Sequence, residues 1–552
     1  MAKLVTGAAT LAVVVGLAGC GARGPDEADP LGRPGGVLRV VGEADVEHLD
    51  PATAHGPHAY ALGRLFARTL FATSASNNFD ETLPVRADLA ASVPTKENGG
   101  ISKDGRTYTI RLRKGVRWGT DPVRPVVAKD VVRGFERLCN PAAPSPYRTH
   151  YIATIRGMAE FCRGFAHVDD DDAEAIAEYQ DEHSISGIEA EGEDRLVFRL
   201  RRPAPDFLAL LTLPSAAAAP EEYDRYVPDD RRLRQNTISN GPYRIARYRP
   251  GRSYVFEHNP AWDAASDPLR GRFADRIEIT LGVGSAEEVA RRIERGEADL
   301  SWDRPVPAAV VERLRGREGL ALRPVPGRGP YLVLGGRGAL ARREVRQALQ
   351  YAVDRTAVIR ILGGPEVARP QHTVIAPGNH GYFEHNAYPT PGDAGDPGRC
   401  RDLLGGTRLN LTLIHENDHQ SERIAEVLKD NLGDCGVKVR LTRKGSHDAA
   451  LVSVRPEWFG GNGRSALLPL LEEAANPLVE PLVEDALTAP DAARATGLWN
   501  QVDRLLMQEA AIVPLADAAL PVQHSARVRD ARFVPAARTY DFTRLWLAGE
   551  RE

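Results

Sequence analysis

The sequence predicts an α/β fold, and three patterns carry that prediction. Beyond Gly296, segments of strand and helix character alternate repeatedly, as in layered α/β proteins. Short runs such as residues 108–113 and 195–200 place apolar residues at every second position, the period of a strand. Longer stretches, including residues 60–71 and 421–432, repeat them at helical spacing. The chain has 552 residues, and at about 100–200 residues per domain it has room for roughly three lobes.

Taken in order, Val37-Leu38-Arg39-Val40-Val41-Gly42 reads as a first strand, followed by a charged loop over residues 43–51. Residues 129–138 form a helix with Asp130 as a candidate cap. The acidic stretch 168–184 opens with four aspartates, which suit a helix start facing solvent better than a calcium site. Residues 244–248 and 254–257 form a hairpin around Pro250-Gly251. A strand at Ile277-Glu278-Ile279 then leads into a helix over 286–295, and a further helix covers 343–353.

The N-terminus differs from the rest. Lys3 precedes an apolar run from Leu4 to Leu17, then Ala18-Gly19-Cys20, the pattern of a secretory signal. That run is shorter than the roughly 20 residues a membrane-spanning helix needs. Leu17-Ala18-Gly19-Cys20 resembles the lipobox of bacterial lipoproteins, which implies cleavage before Cys20 and acylation of its thiol. An ordinary signal peptide ending near a cysteine is the alternative. Residues 21–36 are glycine, proline and charge with almost no apolar content and read as a tether.

Hydrophobic residues make up 42% and charged residues 26%, a soluble globular profile. The net charge of -4 argues against nucleic acid as a partner, because phosphate binding needs a basic face. The 63 arginines against 8 lysines are read as base composition. Cys139, Cys162, Cys400 and Cys435 remain once Cys20 is set aside, and an oxidising exterior favours disulfides. Of the three possible pairings, Cys139 with Cys162 and Cys400 with Cys435 is expected; four buried thiols are the alternative. No CxxC spacing supports a zinc site.

Several stretches together resemble solute-binding family 5, the peptide- and nickel-binding lipoproteins of ABC importers. They are Gly35 to Val40 with Leu49-Asp50-Pro51-Ala52, then YTIRLRKGVRWGTDPVRPVVAKDVVRGFERL from Tyr108 to Leu138, and Asn240-Gly241-Pro242-Tyr243 with Asn259-Pro260. Val345-Arg346-Gln347-Ala348-Leu349 with Tyr351 to Arg355, and Asp396-Pro397 with the LTLIHEND unit, complete the order. The resemblance implies a two-lobe periplasmic-binding-protein-like fold with an extra domain inserted in the first lobe. Carried onto this chain, residues 1–19 are a signal peptide and 20–35 a lipidated tether. Lobe one takes 36–75, 195–300 and 516–552, the insert 76–194, and lobe two 301–515.

The same resemblance implies a monomeric, cofactor-free receptor, lipid-anchored outside the cell, that captures a small polar solute, an oligo- or dipeptide, between its lobes and delivers it to a permease. That permease and its ATPase are separate chains, since this one has no Walker loop, GxSxG elbow or Rossmann fingerprint. Tyr147, in Ser145-Pro146-Tyr147, matches a ligand-facing tyrosine, although it also suits the insert's core. Trp302 is placed near the hinge, where it stacks on ligand or packs the hinge. Trp458 and Phe459 follow the strand 449–454, where relatives carry an acidic residue for the peptide amine. Here that motif is missing, and Glu457 is the candidate substitute. His48 is a cleft or surface histidine.

His415-Glu416-Asn417-Asp418-His419 satisfies HExxH, the pattern of a zinc protease. That chemistry needs both histidines on one helical face. Asn417 and Asp418 suit a helix start instead, which separates the histidines onto different elements. A secreted zinc hydrolase, and a sensing lipoprotein without an importer, are the competing readings.

Overall fold

The computed structural model describes residues 33–325, 327, 329–454, 458, 463–474 and 476–549. Its two largest sheets have five strands each. In the first, Val37–Val41 pairs in parallel with Arg276–Thr280 and with Leu300–Ser301. Ser253–His258 and Tyr243–Arg249 extend it as an antiparallel hairpin, with Gly251 at φ 66° in the turn. Leu38 and Val40 are buried while Arg39 points outward, so alternation in the opening strand selects its face.

In the second large sheet the order is Lys438–Thr442, Asn410–Ile414, Ala449–Val454, Gly329–Leu334 and Ile512–Pro514. The first three run parallel, with the helix His419–Asp434 crossing between Asn410–Ile414 and Lys438–Thr442. Disulfide-bonded Cys400 and Cys435, Cα atoms 5.8 Å apart, tie the helix Pro397–Leu404 to the end of that crossing helix.

A third body is built on the three-stranded antiparallel sheet Thr107–Arg111, Arg195–Arg199, Ile188–Glu191. Its core runs from Leu70 to Ala218 and includes Phe135, Tyr151, Phe198 and Phe207. The boundary expected at 194 falls inside this sheet: Arg195–Arg199 is its central strand, bonded on both edges. Cys139 and Cys162 are disulfide-bonded here, Cα atoms 5.1 Å apart.

Two further readings change on folding. The helix expected over 60–71 spans Gly56–Phe66, and the chain is back in strand at Phe71–Thr73. Asp130 is the third residue of the helix Ala128–Glu136 rather than its cap. Its carboxylate accepts from Val127 N–H at 2.8 Å and from the Trp118 indole at 2.9 Å. Among the aspartates of 169–172, Asp172 is the cap, accepting from Glu174 and Ala175 N–H.

Lobes one and two are joined through a narrow neck. Leu320–Arg323, leaving lobe one, pairs antiparallel with Leu520–Gln523, returning to it. Val325 belongs to the lobe-one core, whereas Ala516 and Ala518 belong to the lobe-two core. The expected bounds at 301 and 515 do not coincide with the division between these two cores.

The insert is welded to lobe one by buried charge. Arg68 Nε and Arg270 Nη2 each donate to the Asp88 carboxylate at 2.7 Å, and Arg270 also meets Asp267 at 3.3 Å. Arg68 and Asp88 are fully buried. Arg64 holds buried Asp541 at 2.6 Å from the same helix end, and Arg137 of the insert pairs with Asp50 of the lobe-one loop. Burial opposes ionisation of Asp88, but the Arg270 and Arg68 guanidiniums outweigh it and hold the carboxyl far below the ordinary carboxylate range.

Removing Asp88 leaves two buried guanidiniums short of counter-charge. Asp88→Ala is expected to cost about 3–5 kcal/mol of unfolding free energy in urea titrations at pH 7. Because its folded pKa is depressed, the contribution of Asp88 is present above the ordinary carboxylate pKa of about 3.9 and is lost as pH falls below it. Urea midpoints of the native chain should therefore drop from pH 5 to pH 3, and the Asp88→Ala chain should lose less over that interval.

Candidate functional site

The groove between the two large sheets is the candidate site. It has a volume of about 890 Å³ and is walled by Glu287, Pro305 and Arg315 from lobe one and by Arg360, Gln420 and Ser453 from lobe two. Leu520 of the neck forms part of its floor. Ser453 is next to last in the lobe-two strand Ala449–Val454, and Pro305 follows the lobe-one strand Leu300–Ser301. The groove thus lies outside carboxyl ends of strands, where open α/β sheets place ligands. A second, far smaller cavity of about 30 Å³ lies under the helix Gly56–Phe66 and shares no wall with the groove. Arg64 and Arg270 line it, so it belongs to the interior of the charge network.

The loop after the opening strand is held from three sides. Asp303 accepts from Glu43 N–H at 2.9 Å and Ala44 N–H at 2.8 Å. Asp45 accepts from Tyr248 Oη at 2.9 Å, from Gly251 N–H at 2.7 Å and from Tyr254 Oη. Asp229 accepts from Leu49 N–H at 3.0 Å and pairs with His48 Nδ1 at 2.6 Å. His48 is thereby committed to the loop's own scaffold. Trp302 donates its indole N–H to Ala44 O at 3.0 Å, lies tilted against His58 at 4.9 Å, and is only 4% exposed. It packs the hinge side of the loop and presents no free face. Burial lowers the His58 pKa, with Asp303 opposing.

On the other side, Tyr147 is 4% exposed within the insert's core and directly precedes the helix Arg148–Thr154. Trp458 of lobe two joins that same core, edge-on to His150 at 5.4 Å. Burial, reinforced by Arg464, pushes the His150 pKa down to about 4, so a neutral ring sits beside that cation. Arg464 pairs with Asp206 of the insert at 2.8 Å, both side chains buried. The fold thus brings Tyr147 and Trp458 into one cluster and leaves Trp302 apart from it. Glu457 and Phe459 lie outside the described residues.

Comparison with known proteins agrees with this architecture. Residues 85–457 match the family model "Bacterial extracellular solute-binding proteins, family 5 Middle". The chain belongs to this family. It is 25% identical to the probable di/tripeptide-binding protein 5 of Pseudomonas aeruginosa over 524 residues, 87% of this chain and 92% of that protein. The periplasmic oligopeptide-binding protein OppA of Salmonella typhimurium is 22% identical over 451 residues, covering 75% and 77%. Among solved structures, clavulanic acid biosynthesis oligopeptide binding protein 2 superposes with a TM-score of 0.80 at 24% identity, over 94% of this chain and 96% of its own. The unliganded open form of the periplasmic murein tripeptide binding protein MppA gives 0.71 at 19%, over 94% and 99%.

Family 5 members bind solutes and are not enzymes, and the HExxH segment of this chain has no protease geometry. His415 ends the strand region, buried, with Nδ1 at 2.9 Å from Glu416 O. Asp418 caps the next helix by accepting from Gln420 and Ser421 N–H, both at 3.0 Å, and His419 is exposed at its first turn. Among the described residues no group of three or more His, Cys, Asp or Glu is placed to hold a metal ion.

The residues that sequence reasoning missed are His58, His150, Asp303 and Arg464. His150 stands three positions after Tyr147, so the motif pointed at its helix. Arg464 carried no signal, because its partner lies 258 residues away.

The loop's packing has a direct test. A Cβ on Gly42 would stand 2.4 Å from Asp303 Oδ1 and 2.6 Å from Trp302 Cβ. Gly42→Ala is therefore expected to cost about 1–3 kcal/mol in chemical denaturation by overpacking. Elemental analysis of purified protein should find no stoichiometric zinc, and Glu416→Gln should leave the zinc content and the melting point unchanged.

Proposed function

We propose that this chain is the lipid-anchored, extracytoplasmic receptor of an ATP-driven importer, capturing a small peptide between its lobes and delivering it to a separate permease and ATPase. The observation that carries the reading is the groove walled by both lobes across a two-strand neck. A ligand bridging the walls gains its full contacts only when the lobes approach, so binding shifts the open–closed equilibrium. The walls carry both signs of charge, Glu287, Glu312 and Glu366 with Arg315 and Arg360, which suits a ligand with an ammonium and a carboxylate end. The names of the relatives, di/tripeptide- and oligopeptide-binding proteins, support the same solute class.

Cys20 anchors the chain through its acylated thiol, and residues 21–36 tether the folded body to the membrane as a monomer. The cores favour an insert of about 70–218, lobe two of about 329–518, and lobe one from the remaining segments. In this reading Tyr147, Trp302 and Trp458 support the site rather than line it, and the groove walls make the ligand contacts.

A ligand that binds only the folded chain stabilises it by mass action, about 2.7 kcal/mol at a concentration 100-fold above Kd. A library of di- and tripeptides screened by thermal shift should contain members that raise the melting temperature. Mass spectrometry of small molecules released on denaturing the purified protein should find the same class. A library without effect, together with release of a non-peptide solute, would refute the peptide assignment while leaving the receptor fold intact.

A further inference from the structure

Among the described residues, the contact between lobe two and the insert combines buried and rim side-chain interactions. Arg464 and Asp206 form its buried centre at 2.8 Å, with side chains 8% and 1% exposed. Trp458 is seated in the insert's core against His150. At the rim, Lys96 Nζ donates to Pro490 O at 3.2 Å, and Arg202 pairs with Glu484. No insert residue lines the large groove, so this contact and the groove occupy different stretches of the boundary around lobe two.

Mechanics give the contact its meaning. The insert is fixed to lobe one by Arg68, Asp88 and Arg270 and by the Asp50–Arg137 pair, and those two bodies move together. Lobe two is joined to them covalently only through the neck. Rotating it away must therefore pull Trp458 out of an apolar core and separate a desolvated ion pair. A rim pair such as Arg202–Glu484 is solvated and resists little. A buried, hydrogen-bonded charge pair is coupled far more strongly.

We propose that Arg464–Asp206, with Trp458 docked beside His150, is a built-in latch that holds lobe two against the insert without any ligand. Closure is then partly prepaid by the chain itself, and a ligand supplies only the remainder. The latch concerns the chain's own mechanics and stands whether the groove takes a peptide or another solute.

The test uses ligand-free mature protein with spin labels in place of Glu178 of the insert and Glu426 of lobe two, both exposed on helices. Pulsed dipolar spectroscopy should give one narrow distance distribution. Asp206→Asn should add a longer-distance population and raise the separated fraction about tenfold, the equivalent of about 1.4 kcal/mol. Arg464→Gln should produce the same second population from the other side. The charge-swapped double variant, Asp206→Arg with Arg464→Asp, should return the distribution toward the narrow one. A broad distribution in the unsubstituted protein that neither single variant changes overturns the latch. So does a double variant that remains as separated as the singles, which would make the pair a structural element without latching specificity.

Discussion

The architecture depends on a charge-balanced cluster sealed from water. Arg64, Arg68 and Arg270 face Asp541, Asp88 and Asp267, gathering the end of one helix, a turn of the insert's approach, a surface loop and the C-terminal segment. Each carboxylate would be costly alone in that interior, and each guanidinium equally so; together they satisfy one another. The cluster is directional as well as strong, because guanidinium forks accept few geometries. Four stretches of chain must arrive in register for it to form. That requirement converts an inserted domain, otherwise free to swing on its two connections, into an extension of lobe one.

With those two bodies fused, the remaining freedom is at the neck. Two short paired strands carry the whole covalent link to lobe two, and the glycine at position 329 approaches Ala516 O so closely that a Cβ would stand 1.9 Å from it. Motion there would also draw Trp458 out of the insert's core. The loop that follows the opening strand is anchored within lobe one. Asp45, Asp229 and Asp303 each satisfy two or more of its neighbouring donors, so it behaves as scaffold despite its charged sequence.

Much of this was legible in the residues. Period-two runs located most strands because each has one buried face, and strand–helix alternation gave the class. The separation of the two histidines around Asp418 followed from cap chemistry alone. What failed did so for non-local reasons. Arg195–Arg199 reads as any strand, and only its partners Thr107–Arg111 and Ile188–Glu191 assign it to the insert. Trp302 and Tyr147 are large aromatics in loops, a pattern equally suited to gripping a ligand or filling a core; burial decides, and burial is set by distant segments. Arg464 and Asp206 are ordinary residues until folding brings them together.

The C-terminal segment has a consequence for how the molecule is made. Arg527 clamps Asp299 and donates to Val37 O, a contact spanning 490 residues, while Ser525 bonds the same aspartate. Asp541 likewise waits to meet Arg64 across 477 residues. The opening strand therefore lacks these supports until residues 525–541 have been made. Such distant closures slow folding, and an emerging polypeptide with this wiring stays threadable, able to pass through a narrow conduit before it commits to its shape.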